Sequence, residues 1–149
     1  KVIRIGEYEK DTDANKGYID TDDLRLNDKR LLEWQLGSGA KAAPIANAPI
    51  NNLGLVVTEE RFIFALGSGG NPRKISWCDR ENNTLWTPAA TNEAGDLELN
   101  TSGRIMAGIR VQGQTLILTS MDAHAATYIG APYVYGIERV GASCGLIAN

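Results

Sequence analysis

A histidine beside a carboxylate is the smallest arrangement that can act as a general base, and the chain has one such pair. His124, the only histidine, stands two residues after Asp122 in the stretch MDAHAATY. Base-assisted nucleophilic catalysis also needs a nucleophile and donors for the developing oxyanion. No GxSxG turn and no activated-cysteine pattern accompanies the pair, so His124 is expected to be a structural or exposed residue. Paired carboxylates of the kind glycosidases use occur at Glu7/Glu9 and Glu59-Glu60. Neighbouring strand residues point to opposite faces, so Glu59 and Glu60 should not converge on one bond.

Two further stretches and the two cysteines invite a chemical reading. GSGGN at 67–71 follows the apolar run RFIFAL, where a phosphate-binding loop would stand in an α/β protein. The residues after it, PRKISW, read as a strand and supply neither the Lys-Ser/Thr pair nor a helix N-terminus, so a hairpin loop is expected. WCDRENNTLWTP sets Trp77 and Trp86 nine residues apart, the one candidate aromatic platform for a carbohydrate. The competing expectation is that both indoles anchor strand ends in a core, where each buries roughly 150–250 Å². Asp79, Arg80, Glu81, Asn82 and Asn83 lie between them and offer oxygen atoms to calcium, but without the ordered spacing and turn glycine of a calcium loop. A solvated turn is expected, with no metal and no cofactor. Cys78 and Cys144 lack CxxC or Cys/His spacing, which argues against zinc and leaves two buried free thiols as the expectation, with a disulfide between them as the alternative.

The elements that must position these residues read as strands. From Leu53 onward, short apolar runs alternate with Gly, Asn, Asp and Pro, with a period near two or none and no helical stripe. Strands are predicted at 55–58, 61–66, 73–77, 96–99, 105–111, 115–119, 126–129 and 133–139. Glu59-Glu60 and Gln112-Gly113 are expected to close tight antiparallel hairpins, the second with a glycine suited to positive φ. Laying the second hairpin under the first aligns Ile63 with Leu116 (116 − 63 = 53), Phe64 with Ile117 and Ile75 with Tyr128. A period of roughly 50 residues with several antiparallel strands per unit fits β-propeller blades.

Upstream, EKDTDANKGYIDTDDLRLNDK is polar and acidic, so residues 1–30 are read as an exposed segment and residues 31–149 as the blades. Leu24, Leu26, Leu31, Leu32 and Trp34 are expected to form a hairpin around Asn27-Asp28. GSGAKAAPIANAPINN is read as a crossing between blades.

Composition narrows the classes. The chain has 149 residues, 43% of them hydrophobic and 22% charged. At this size roughly 70% of the unfolded surface is buried, enough for one real core. A net charge of −3 opposes a generic phosphate-binding surface. No apolar run reaches the roughly 20 residues that cross a bilayer, and the N-terminal stretch lacks a signal peptide, so a soluble protein is expected. The first residue is Lys1, which favours a piece of something longer.

The stretches VVTEERFIFALGSGGNPRKISWCDRENNTLWTP, NEAGDLELNTSGRIMAGIRVQGQTLILT and DAHAATYIGAPYVYGIERVGASCGLIAN resemble the propeller-type tail-hub, nozzle and packaged-DNA-stabilisation proteins of tailed bacteriophages. The resemblance covers residues 31–149. It implies an all-β fold of antiparallel propeller-like blades, two to three of them in this chain. It also implies a non-enzymatic virion protein, assembled in the host cytoplasm as a ring of copies against neighbouring tail or connector proteins. It carries over no catalytic residue. Contact with exiting DNA would be passive, since a mildly acidic wall repels phosphate. The alternative is a carbohydrate-binding module reading a host glycan through Trp77 and Trp86.

Overall fold

The computed structural model describes residues 2–6, 29–39 and 42–147. Eleven strands appear among them, in three antiparallel sheets, with no α-helix. The first sheet joins β1 (Val2–Gly6), β2 (Arg30–Trp34) and the two-residue β3 (Ala43–Pro44) in that order. The second is a meander of β4 (Gly54–Val57), β5 (Ile63–Leu66), β6 (Lys74–Trp77) and β7 (Gly95–Glu98). The third repeats that plan with β8 (Ile105–Val111), β9 (Gln114–Thr119), β10 (Asp122–Gly130) and β11 (Val134–Ala142). The all-β, antiparallel expectation therefore holds.

Burial explains why the two central strands read so differently. In β5, IFAL is buried at every position. Phe64 and Leu66 enter one core with Ile75, Trp77, Ile105, Ile117 and Tyr135, between the second and third sheets. Ile63 and Ala65 enter another with Leu31, Ile45, Cys78 and Trp86, beneath the first sheet. A strand covered on both faces has no polar side, hence the continuous apolar run. In β9, by contrast, Thr115, Ile117 and Thr119 are buried while Leu116 and Leu118 are only half-buried, the alternation of a strand covered on one face.

The inter-sheet core is rich in aromatic rings. Tyr135 meets Phe64 at 4.7 Å and Phe62 at 5.3 Å between centroids, both edge-on at 81°. Such pairs contribute roughly 0.5–1.5 kcal/mol each beyond their burial. The phenol ends are satisfied: the Tyr135 hydroxyl lies 2.8 Å from Thr58 Oγ1 and donates to Glu60 at 3.0 Å, and that of Tyr128 donates to Glu93 at 2.7 Å. Arg80 stacks over Tyr128 at 4.7 Å from the ring and pairs with Glu93. At Gly108, an added Cβ would lie 2.8 Å from both the Leu66 and Val56 side chains, so the glycine lets β8 approach β4 and β5 closely.

Several expectations change here. Residues 2–6 pair with Arg30–Trp34, so the ends of the 1–30 segment belong to a sheet, and a boundary at residue 30 cuts through β2. Leu24, Leu26 and the Asn27-Asp28 turn lie outside the described residues. The Gly/Ala/Pro-rich stretch is more than a crossing: it supplies β3 and buries Ile45. The Gln112-Gly113 hairpin forms as expected, with φ 75° at Gly113. The aligned repeat holds for the hairpin but not for the next strand. Phe64 pairs with Trp77 and Ile117 with His124, so the ladder equates Trp77 with His124 rather than Ile75 with Tyr128. Cys78 is buried, while Cys144 is exposed; a solvent-facing thiol replaces the second buried one. Among the described residues, no helix is long and apolar enough to cross a membrane.

Candidate functional site

Asp122 opens β10, and the two-residue period of the strand places its side chain on the same face as that of His124. The preceding hairpin is closed by Thr119, whose hydroxyl accepts the amides of Met121 at 3.1 Å and Asp122 at 2.9 Å. That hydroxyl also donates to Asp122 Oδ1 at 2.6 Å. From the connection between β7 and β8, Thr101 donates its hydroxyl to the same carboxylate, 2.9 Å from Oδ1 and 3.0 Å from Oδ2. His124 Nε2 lies 3.1 Å from Oδ1. Asp122 is only 5% exposed and His124 4%, which makes each of these bonds matter.

Burial by itself would push the Asp122 carboxyl up. The bonds from Thr119, Thr101 and His124, and the attraction of His124, outweigh it and leave the pKa below its ordinary value. Asp122 is therefore an ionised anchor that ties three segments together, and His124 is one of its three ligands.

The pair lines a cleft of about 610 Å³ between residues 97–102 and the β10–β11 ladder. Leu97, Leu99 and Ile137 form its apolar wall. Glu98, Asn100, Ser102 and Arg139 complete the polar side. Arg139 is the ladder partner of His124, so the two side chains start from facing positions. Glu98 pairs with Arg73 at 2.6 Å and accepts from Asn71 at 3.1 Å. Ser102 shares the cleft with His124 but is not hydrogen-bonded to it, so the structure holds no assembled nucleophile–base pair there.

The other sequence candidates are dispersed. Trp77 is buried between the second and third sheets, donating to the Glu93 carbonyl at 2.9 Å. Trp86 is buried beneath the first sheet, donating to the Asn83 carbonyl at 2.6 Å. The two indoles occupy separate cores and form no common platform. In the turn between them, Asp79 accepts the amide of Glu93, Asn82 caps Thr84, and Asn83 donates to Glu33. Glu81 pairs with Arg61. Among the described residues no three His, Cys, Asp or Glu side chains gather as metal ligands. Glu59 accepts the Gly113 amide and Glu60 accepts from Tyr135, so the adjacent carboxylates diverge. Glu7 and Glu9 lie outside the described residues. The 67–71 loop forms a 3₁₀ turn at Ser68–Gly70 and leads directly into β6.

Sequence reasoning singled out His124 and Asp122 but not Thr101, Asn100, Ser102 or Arg139. Thr119, three residues before Asp122, carries a local signal, because a hydroxyl at that offset can close a turn. Thr101 and Arg139 arrive only through the tertiary fold. No family model, curated protein or solved structure matches the chain at a significant level.

Proposed function

We propose that the chain is a non-catalytic structural component of a bacteriophage tail or head-to-tail assembly, in which its two meanders act as neighbouring propeller-like blades. The observation that carries this reading is an asymmetry between equivalent sheet faces. The face of the second sheet bearing Ile63 and Ala65 is covered by the first sheet. The equivalent face of the third sheet bears Leu116 and Leu118, with Ile109 opposite Leu116. Ile109 is 48% exposed, and Ile129, farther along β10, is 57% exposed.

An antiparallel sheet with one solvated face ordinarily carries polar residues there. Apolar residues on that face suit a surface laid against another sheet. In this reading the face receives a further copy of the chain in a ring, and the net charge of −3 disfavours tight binding to passing DNA. The sequence resemblance to tail-hub and nozzle proteins supports the same assembly.

Negative-stain electron microscopy and sedimentation of the purified chain test this directly. A symmetric ring that dissociates on Ile109→Lys is the expected result, together with immunogold labelling of phage particles at the tail axis. A monodisperse monomer at concentrations near 100 μM, well above the dissociation constants of stable assemblies, and particles without label would overturn it.

A further inference from the structure

Most charged groups of the 610 Å³ cleft already have partners within the fold. Asp122 is held by Thr101, Thr119 and His124, and Glu98 by Arg73 and Asn71. Arg139 differs: it lines the cleft, and its side chain has no hydrogen bond or ion pair among the described residues. Its ladder partner His124 commits Nε2 to Asp122 and leaves the other ring nitrogen without a protein partner. The Asn100 amide and Ser102 hydroxyl, also on the cleft, are equally uncommitted. Leu97, Leu99 and Ile137 provide apolar lining beside these groups.

We propose that this cleft binds a carboxylate carried on a small, partly apolar body, with Arg139 as the charge partner. The guanidinium fork matches the two carboxylate oxygens, and the Asn100 amide and Ser102 hydroxyl supply further donors. A single negative charge fits better than a phosphate dianion, because Asp122 and Glu98 stand nearby and a second charge would meet their repulsion. The volume falls within the roughly 300–1,000 Å³ of small-ligand sites, so the open cleft has room for a small body attached to the carboxylate. The carboxylate comes from either a free organic acid or the C-terminus of a neighbouring chain. This site is independent of the assembly reading, since it lies within one copy.

Amide chemical-shift mapping of the 149-residue chain tests it, using butyrate, butyramide, and acetyl-Val-Leu with a free or amidated C-terminus. Butyrate and the free-acid peptide are expected to shift the amides of 98–102 and 137–139 saturably, and the two amides to leave them unmoved. Tighter binding of the peptide assigns the site to a chain terminus, and tighter binding of butyrate to a free acid. Arg139→Gln, an exposed position, should weaken binding about tenfold or more, the usual effect of losing a charge-assisted bidentate contact. Arg139→Lys should recover part of it. The proposal fails if neither acid produces a saturable shift in the cleft, if butyramide binds as well as butyrate, or if folded Arg139→Gln binds unchanged. The butyramide comparison decides the matter even if the variant does not fold.

Discussion

Replacing Asp122 tests the anchor at the centre of the cleft most directly. Asp122→Ala leaves two buried hydroxyls and an imidazole nitrogen without their acceptor. Hydrogen bonds to a charged group contribute about 1.5–3 kcal/mol each. They are not additive within one network, and breaking a buried pair typically costs about 3–5 kcal/mol. A loss of about 4 kcal/mol is expected, a large fraction of the roughly 5–15 kcal/mol that holds a domain of this size together. Asp122→Asn keeps one acceptor oxygen but turns an NH₂ toward existing donors, so about 2 kcal/mol is expected.

Acid adds a signature that simple loss of packing would not give. The folded pKa of Asp122 lies below its ordinary 3.8. Its ionisation therefore contributes stability that is present above the unfolded pKa and is lost as pH falls through the folded one. The difference between wild type and Asp122→Asn should accordingly be constant near neutrality and shrink on acidification below about pH 4. Urea unfolding followed by tryptophan fluorescence across that range measures it. A cost below about 1 kcal/mol for Asp122→Ala, the scale of one ordinary hydrogen bond, or a difference that ignores pH, would refute the reasoning.

Three other perturbations probe the frame around the cleft. Gly108→Val drives side-chain carbon against Leu66 and Val56 and should cost about 1–3 kcal/mol, seen as a melting point roughly 3–10 °C lower; an unchanged melting point would contradict the close approach of β8. Tyr135→Phe removes the bonds to Thr58 and Glu60 and should cost about 1 kcal/mol in urea unfolding. Burial raises the Tyr135 pKa, the Thr58 bond opposes this and Glu60 adds to it, so the same variant should leave the ultraviolet tyrosine titration unchanged below about pH 11. A thiol reagent should modify exposed Cys144 at once and Cys78 only on unfolding, because burial both shields that thiol and raises its pKa; equal rates would show that the second core opens readily.

How far the strands could be read from sequence depended on how their residues are covered. QTLILT and IMAGIRV announced themselves through β-branched residues, and the latter begins and ends where expected. DAHAATY did not, because alanine has weak strand propensity, so β10 was expected only from Ala126. The strand begins at Asp122 because Ala123 and Ala125 sit opposite Leu118 and Leu116, whose bulk fills the space beside them. The first sheet was missed for a different reason. Its β1–β2 pairing joins residues separated by a long polar stretch, and nothing local encodes such a partnership. The cleft was half legible: the spacing of Asp122 and His124 marked one strand, while Thr101 and Arg139 are brought in by neighbouring segments.

The ladder equivalence of Trp77 and His124 gives a physical origin for the cleft. Both residues sit opposite the central strand of their sheets, facing Phe64 and Ile117 respectively. In the second sheet an indole fills the position and presses on Gly95, where an added Cβ would lie 2.5 Å from the ring. That contact packs the sheet to its edge and needs only one backbone acceptor, the Glu93 carbonyl. In the third sheet the smaller imidazole stands at the same place. It fills less volume and brings two polar nitrogens into a core position, so a buried acceptor is required, and Asp122 supplies it. Asp122 in turn needs donors, which Thr119 and Thr101 supply. One change of residue at a repeated position thus accounts for the polar network and for the space beside it. The Ile63 and Phe64 alignment makes the repeat visible, and the site lies where the two copies of that repeat diverge.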